Sequence, residues 1–224
     1  DFHRLRHVIA GAEKLSEAVR ATWFEKFGIR ILEGYGATET APVISVNTPM
    51  AYRGGSVGQL LPGIQAKLIP VPGIDHGGLL HVRGPNVMSG YLGRPDLTEK
   101  AFKDGWYITG DIARVDEDGF IYITGRLSRF SKIGGEMVPH GKVEDVLHEC
   151  ANSTDRVFAV TAVPDEKKGE KLAVLHTWEE QRLPELIEAL TKRGLPNLFI
   201  PKINVFIKVQ NLPLLGSGKL DLRE

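Results

Sequence analysis

The chain has 224 residues, 42% hydrophobic and 25% charged, with 28 basic and 28 acidic side chains. This is ordinary globular composition, enough for one large or two modest cores, and zero net charge argues against a protein that grips nucleic acid by neutralising phosphates. The one cysteine, Cys150, excludes an internal disulfide and a cysteine-built metal centre and fits a reducing compartment, while the longest apolar runs, near residues 157–163 and 203–209, are far shorter than a membrane span.

Residues 1–50 read as strand, helix, strand. Val8-Ile9-Ala10 is a short apolar run ending at Gly11. Ser16 can cap a helix to about Phe27, with Ala18, Val19, Trp23 and Phe27 at helical spacing and Gly28 as its stop. Arg30-Ile31-Leu32 is a second strand that delivers Tyr35-Gly36-Ala37-Thr38-Glu39 to a strand end, where α/β folds place ligands. Residues 52–125 alternate glycines and prolines with short β-like runs at 65–70, 79–83, 112–115 and 120–123, and Asp118-Gly119 reads as a hairpin turn. A compact β-rich region, a distorted barrel, is expected there. After Arg126 come a helix at 140–151 with Val143, Val146, Leu147 and Cys150 on one face, strands at 156–163 and 171–177, a helix at 183–192 and a strand at 203–209. The expected fold class is therefore α/β plus α+β. Its domains are 1–126 and 130–224, with a hinge at about 126–129. Asp1-Phe2-His3-Arg4 reads as mid-domain sequence with no signal-peptide pattern, so the chain is expected to be the back part of a longer protein.

Four small-residue turns each present one polar group. In Tyr35–Glu39, the ring offers a flat face for a purine, Thr38 a hydroxyl for phosphate, and Glu39 a hard oxygen for Mg²⁺; a plain turn with a solvated glutamate is the alternative. Asp111, after Thr109-Gly110 at the end of an aromatic-rich strand (Trp106, Tyr107), can accept from both ribose hydroxyls, and Arg126, beyond the Asp118-Gly119 hairpin, can return to the same edge. An aspartate in a turn and a surface arginine are the alternatives. Lys219, in Gly216-Ser217-Gly218-Lys219, can carry an ammonium into a site built elsewhere, or form a flexible basic tail. Gly134-Gly135-Glu136 is a further tight turn. His140, His148 and Cys150 read as structural, without metal-ligand spacing.

Taken in order, these segments resemble the adenylate-forming superfamily of acyl-CoA synthetases, peptide-synthetase adenylation domains and beetle luciferases, in its C-terminal part. Gly11-Ala12-Glu13 is similar to the family's adenine-contacting turn, and Tyr35–Glu39 to its adenine, phosphate and Mg²⁺ loop. Gly84–Tyr91 is similar to a family β segment. The resemblance implies nucleotide-binding roles for Gly11, Ala12, Glu13, Tyr35, Gly36, Asp111 and Arg126, and catalytic roles for Thr38, Glu39 and Lys219. It further implies a thiol passage at Gly134, Gly135 and Glu136, and a hinge at Ser128. Within the fatty-acid branch, residues 126–138 and 212–219 look most like the synthetase part of bifunctional acyl-acyl-carrier-protein synthetase/2-acylglycerophosphoethanolamine acyltransferases. ATP, AMP, Mg²⁺, a fatty acid and an acyl carrier protein or coenzyme A (CoA) thiol follow as implied partners, in phospholipid acyl recycling. The implied location is the cytoplasm or the cytoplasmic face of the inner membrane, with membrane contact only through segments outside this chain. The family's Ser/Thr/Gly-rich triphosphate loop has no counterpart here, so the chain alone is expected to be inactive. Amino-acid or aryl-acid activation, a non-catalytic AMP-binding or carrier-docking module, and luciferase-like oxidation are the alternatives.

Overall fold

The computed structural model describes residues 2–153, 155–216 and 220–221. The chain divides into two compact units, residues 1–127 and 128–224.

In the first unit β1 (Val8–Ala10) runs parallel to β2 (Ile31–Gly36) through α1 (Glu17–Phe27). The Ser16 hydroxyl accepts from the Val19 N–H at the start of α1, and Gly28 ends it at φ 66°, a conformation glycine adopts without strain. The expected apolar face of α1 is not a core face, since none of its side chains is buried. Helical spacing reports amphipathicity but not a partner. Here Trp23 and Phe27 cluster with Phe2, their ring centroids 5.4 and 5.1 Å from its own. Two antiparallel strands, β3 (Val43–Val46) and β4 (Gln59–Leu60), complete a sheet of order β1-β2-β3-β4.

The β-rich region forms a second sheet. Its members are β5 (Gln65–Ile69), β6 (Gly78–Arg83), the short strand β7 (Phe102–Lys103) that follows α2 (Pro95–Ala101), β8 (Trp106–Val115) and β9 (Ile121–Arg126). The order is β5-β6-β8-β7, with β9 also paired to β8. Ile44, Leu80, Val82, Tyr107, Ala113 and Ile121 form the core. The Val57 N–H donates to Ile121 O (2.8 Å) and the Ile121 N–H to Gly58 O (2.9 Å), tying the strands together. Residues 116–120 make the expected turn, with Gly119 at φ 81°.

The second unit opens with the hairpin β10 (Phe130–Ile133) and β11 (Glu136–Pro139), followed by α3 (His140–Ala151). The antiparallel pair β12 (Phe158–Asp165) and β13 (Gly169–His176) precedes α4 (Leu183–Lys192), and β14 (Phe206–Lys208) adds in parallel to β13. The expected strand at 203–209 is shorter, because Ile203–Val205 is a 3-10 turn. Phe158, Val174, Leu147, Val143 and Leu190 lie at the centre of this unit's own apolar core. Among the described residues no helix is long and apolar enough to cross a membrane.

Candidate functional site

The loop after β2 is built by crowding. Tyr35 and Gly36 lie on β2 itself, so the expected turn starts later, at Ala37. A Cβ on Gly36 would sit 1.8 Å from the Pro42 carbonyl oxygen, so only hydrogen fits where the chain doubles back. The fully buried Thr40 hydroxyl holds this reversal. It accepts from the Ala37 N–H (3.1 Å) and lies 2.7 Å from the Pro42 carbonyl oxygen. Asn86 Nδ2 donates to the Thr40 and Val43 carbonyls at 2.5 and 2.9 Å. With the backbone secured by Thr40 and Asn86, Thr38 is left exposed and Glu39 half-buried. Gly11 lies beside the same strand, where its Cβ would stand 3.2 Å from the Gly34 carbonyl oxygen. Ala12 follows at φ 70°, and Gly11, Ala12 and Glu13 are all exposed.

Asp111 does not end its strand, as the sequence suggests, but sits within continuous β8. The pairing of β8 with β6 slips between Leu79 and His81, opposite Thr109-Gly110, where Gly110 takes φ 78°. This bulge re-aims the following side chain. The buried Thr109 hydroxyl donates to Leu80 O (2.8 Å) and accepts from the Asp111 N–H (3.1 Å). Tyr35, arriving from the other sheet, donates its hydroxyl to Asp111 Oδ2 at 2.5 Å. Arg126 is the register partner of Asp111 across β8 and β9; its Nε lies 3.9 Å from Asp111 Oδ1, and its side chain is 61% exposed. Burial pushes the Asp111 carboxyl above its usual range, against the opposing pull of the Tyr35 hydroxyl and the Arg126 charge. Burial, reinforced by the Asp111 charge, also pushes the Tyr35 phenol well up, so the phenol stays a proton donor.

Glu39 joins the same neighbourhood. Tyr91 donates its hydroxyl to Glu39 Oε1 at 2.7 Å, and the Met88 N–H donates to the Glu39 carbonyl at 2.8 Å. The hydrogen bond to Glu39 raises the Tyr91 phenol above its usual value. Tyr107 lies within the electrostatic reach of both carboxylates. Burial raises its phenol most, followed by the charge of Glu39, and Asp111 and Arg126 act on it too. Thus Tyr35, Asp111 and Arg126 meet at one place, and Glu39 acts on the same surroundings through its charge at Tyr107. Tyr107 lies near the start of the strand that leads to Asp111, and Asn86 and Tyr91 fall in the segment Gly84–Tyr91, whereas nothing in the sequence marked Thr40. Among the described residues no group of three His, Cys, Asp or Glu could hold a metal. Glu39 is a single carboxylate with one oxygen held by Tyr91. That donor set fits Mg²⁺, which keeps its waters and takes one or two carboxylates beside substrate phosphates. A cavity of about 440 Å³ beside α1 is lined by Arg20, Phe24, Arg30 and Tyr52 and by none of the candidate residues.

In the second unit Gly134 and Gly135 form the β10–β11 turn at φ 60° and 96°, with open space where side chains would be, and Glu136 begins β11. Ser128 is exposed at the start of the unit. His140 and His148 are structural. His140 Nε2 lies 2.5 Å from the buried Ser131 hydroxyl, and His148 Nδ1 donates to Glu144 O while its Nε2 accepts from the Val157 and Phe158 N–H groups. Lys219 lies outside the described residues.

Residues 1–92 match the family described as AMP-binding enzyme. A long-chain-fatty-acid–CoA ligase of Yersinia pestis is 36% identical over 230 residues, covering 100% of this chain and 40% of the ligase. A 3-hydroxybenzoate–CoA/4-hydroxybenzoate–CoA ligase of Thauera aromatica is 34% identical, covering 96% of this chain and 42% of that protein. The solved o-succinylbenzoate CoA synthetase of Bacillus subtilis, in complex with its acyl-adenylate intermediate, superposes with a TM-score of 0.83 at 28% identity, covering 96% of this chain and 45% of the other. The chain belongs to the adenylate-forming superfamily, through its AMP-binding enzyme domain. It spans about 40% of the length of the curated relatives. The family match falls within the first unit and stops short of residues 128–224. This corrects the reading of the chain as simply the C-terminal part of such an enzyme. These relatives are named as CoA ligases, and neither carrier protein nor acyltransferase figures in their names.

Proposed function

We propose that this chain supplies the AMP-handling part of an ATP-dependent acid–thiol ligase that activates a fatty acid and passes the acyl group to CoA. The Tyr35–Asp111–Arg126 constellation carries the reading, because it leaves a partly desolvated carboxylate, one oxygen of which has no direct hydrogen bond to its cation, beside a largely exposed guanidinium. A ribose diol donates two hydrogen bonds and suits such an acceptor. In the first half-reaction a carboxylate oxygen bonds to the α-phosphorus of ATP, the α–β bridging P–O bond breaks, and pyrophosphate leaves. In the second, a thiol sulfur bonds to the acyl carbon, AMP leaves, and the thiol proton passes to solvent.

In this reading Asp111 and Arg126 hold ribose, and the Gly11–Glu13 turn and Tyr35 edge bound the adenine. Thr38 donates to phosphate. Mg²⁺, held by Glu39, would neutralise phosphate charge. Residues 128–224 act as a small mobile lid. The support for that role is a compact unit of its own and a similarity to the ligases that runs through the whole chain. Lys219 serves adenylation, and the Gly134–Glu136 turn lies along the thiol's approach. Residues 126–138 and 212–219 favour a narrower version, with acyl carrier protein as the thiol and phospholipid acyl recycling as the setting. Activation of an aryl acid is the second reading, favoured by the hydroxybenzoate relative.

Calorimetric titration of the 224-residue chain with AMP tests the proposal. One-to-one binding is expected, displaced more strongly by a non-hydrolysable fatty acyl-adenylate analogue than by a benzoyl one. A reversed order would favour the aryl reading. Failure of AMP to bind at all would contradict both.

A further inference from the structure

We propose that the Arg129–Glu144 pair is a positioning device that confines reorientation of the second unit to two backbone positions, Leu127 and Ser128. The inference deepens the proposed function, because it assumes that the second unit turns between the half-reactions.

On the near side of the junction the chain is pinned through Arg126, the last residue of β9, whose register partner in β8 is Asp111. On the far side the pin is Arg129. Its Nη2 donates to Glu144 Oε1 at 2.6 Å, and both side chains are only 15% exposed. The same oxygen accepts from the Val160 N–H at 2.7 Å, and Arg129 Nη2 lies 3.4 Å from the Val160 carbonyl oxygen. One knot therefore joins the residue after Ser128 to α3 and β12, two of the elements that build this unit's core. An ion pair withdrawn from water resists separation, because the partner left behind would be a buried charge. Two residues lie between the pins. Ser128 is exposed, and residues 127–129 form a single 3-10 turn, a weakly held conformation common at hinges. Large dihedral changes confined to a few element-terminal residues move whole units as rigid bodies. With the knot intact only Leu127 and Ser128 are available for this. Without it, the freedom extends to Arg129, up to the start of the β10–β11 ladder at Phe130, and the lid loses a defined path.

The test uses the whole chain and needs no nucleotide, so its outcome is independent of whether AMP binds. Glu144→Gln keeps an acceptor for Val160 but removes the charge that holds Arg129, and Arg129→Met removes the other half. Spin labels at the exposed positions 104 and 166, in a Cys150→Ser background, report the distance distribution between units. Hydrogen exchange over residues 127–131 reports the junction, and exchange in α4 reports the integrity of the second unit. Both variants are expected to broaden the distance distribution. Junction exchange should rise about tenfold, or about 1.4 kcal/mol, with α4 unchanged. If α4 exchange rises as well, the double variant Arg129→Met/Glu144→Leu, which leaves no buried charge, decides by the same two readouts. Unchanged distributions and junction exchange in an intact second unit would overturn the proposal, as would a wild-type distribution already as broad as the variants'.

Discussion

Asp111 in the first unit and Glu144 in the second are withdrawn from water almost equally, with side chains 18% and 15% exposed. Their surroundings differ. Glu144 has its counter-charge at hydrogen-bond distance, with a guanidinium at 2.6 Å and a backbone N–H at 2.7 Å on the same oxygen. Asp111 has a phenol on one oxygen, while its cation stands 3.9 Å from the other, too far for a hydrogen bond. Burial accordingly raises the Asp111 carboxyl above its ordinary range. A buried carboxylate hydrogen-bonded directly to its counter-charge holds structure together. One whose cation stands beyond hydrogen-bond distance is costly to the fold and available to a ligand.

The largest expected effect falls on the directly paired side. Glu144→Ala leaves Arg129 buried without a counter-charge and should destabilise the second unit by about 3 kcal/mol, read by urea unfolding. A loss no greater than that of an exposed Glu→Ala change would mean that the pair contributes little and that the contrast is false.

A smaller effect of opposite sign is expected at Asp111. The folded-state value for this group lies above the unfolded 3.8, so its contribution favours folding below that pH and is lost as pH rises through the raised value. Asp111→Asn should therefore gain stability relative to wild type between pH 4 and pH 7. Thermal melts at the two pH values check the sign. A relative loss at pH 7 would show that the Tyr35 and Arg126 contacts outweigh desolvation.

Much of this arrangement is legible in the sequence where the signal is local. Ser16 and Gly28 bracket α1, α3 follows its apolar spacing, and α4 falls at the expected residues. The Asp118-Gly119 turn has its own residue chemistry. Asp111 and Arg126 could be paired by counting along the hairpin between them. Partnerships across long sequence separations were not legible. Tyr35 reaches Asp111 across 76 residues and Tyr91 reaches Glu39 across 52, and no periodicity records either. Continuous β8 was hidden as well, because Thr109-Gly110 looks like a break, whereas the glycine makes a bulge inside the strand. The contrast between Asp111 and Glu144 was equally invisible. Both are acidic residues near a strand or helix, and only their neighbours separate the two uses.

The central claim is that Asp111 holds a vicinal diol. Comparing AMP with 2′,3′-dideoxyadenosine monophosphate, on wild type and on Asp111→Asn, tests it most directly by calorimetry. Wild type should prefer AMP by about 30-fold, the equivalent of about 2 kcal/mol for hydrogen bonds to a charged acceptor, and Asp111→Asn should lose most of that preference. Equal affinities for the two nucleotides in wild type, or a preference undiminished in Asp111→Asn, would contradict the account.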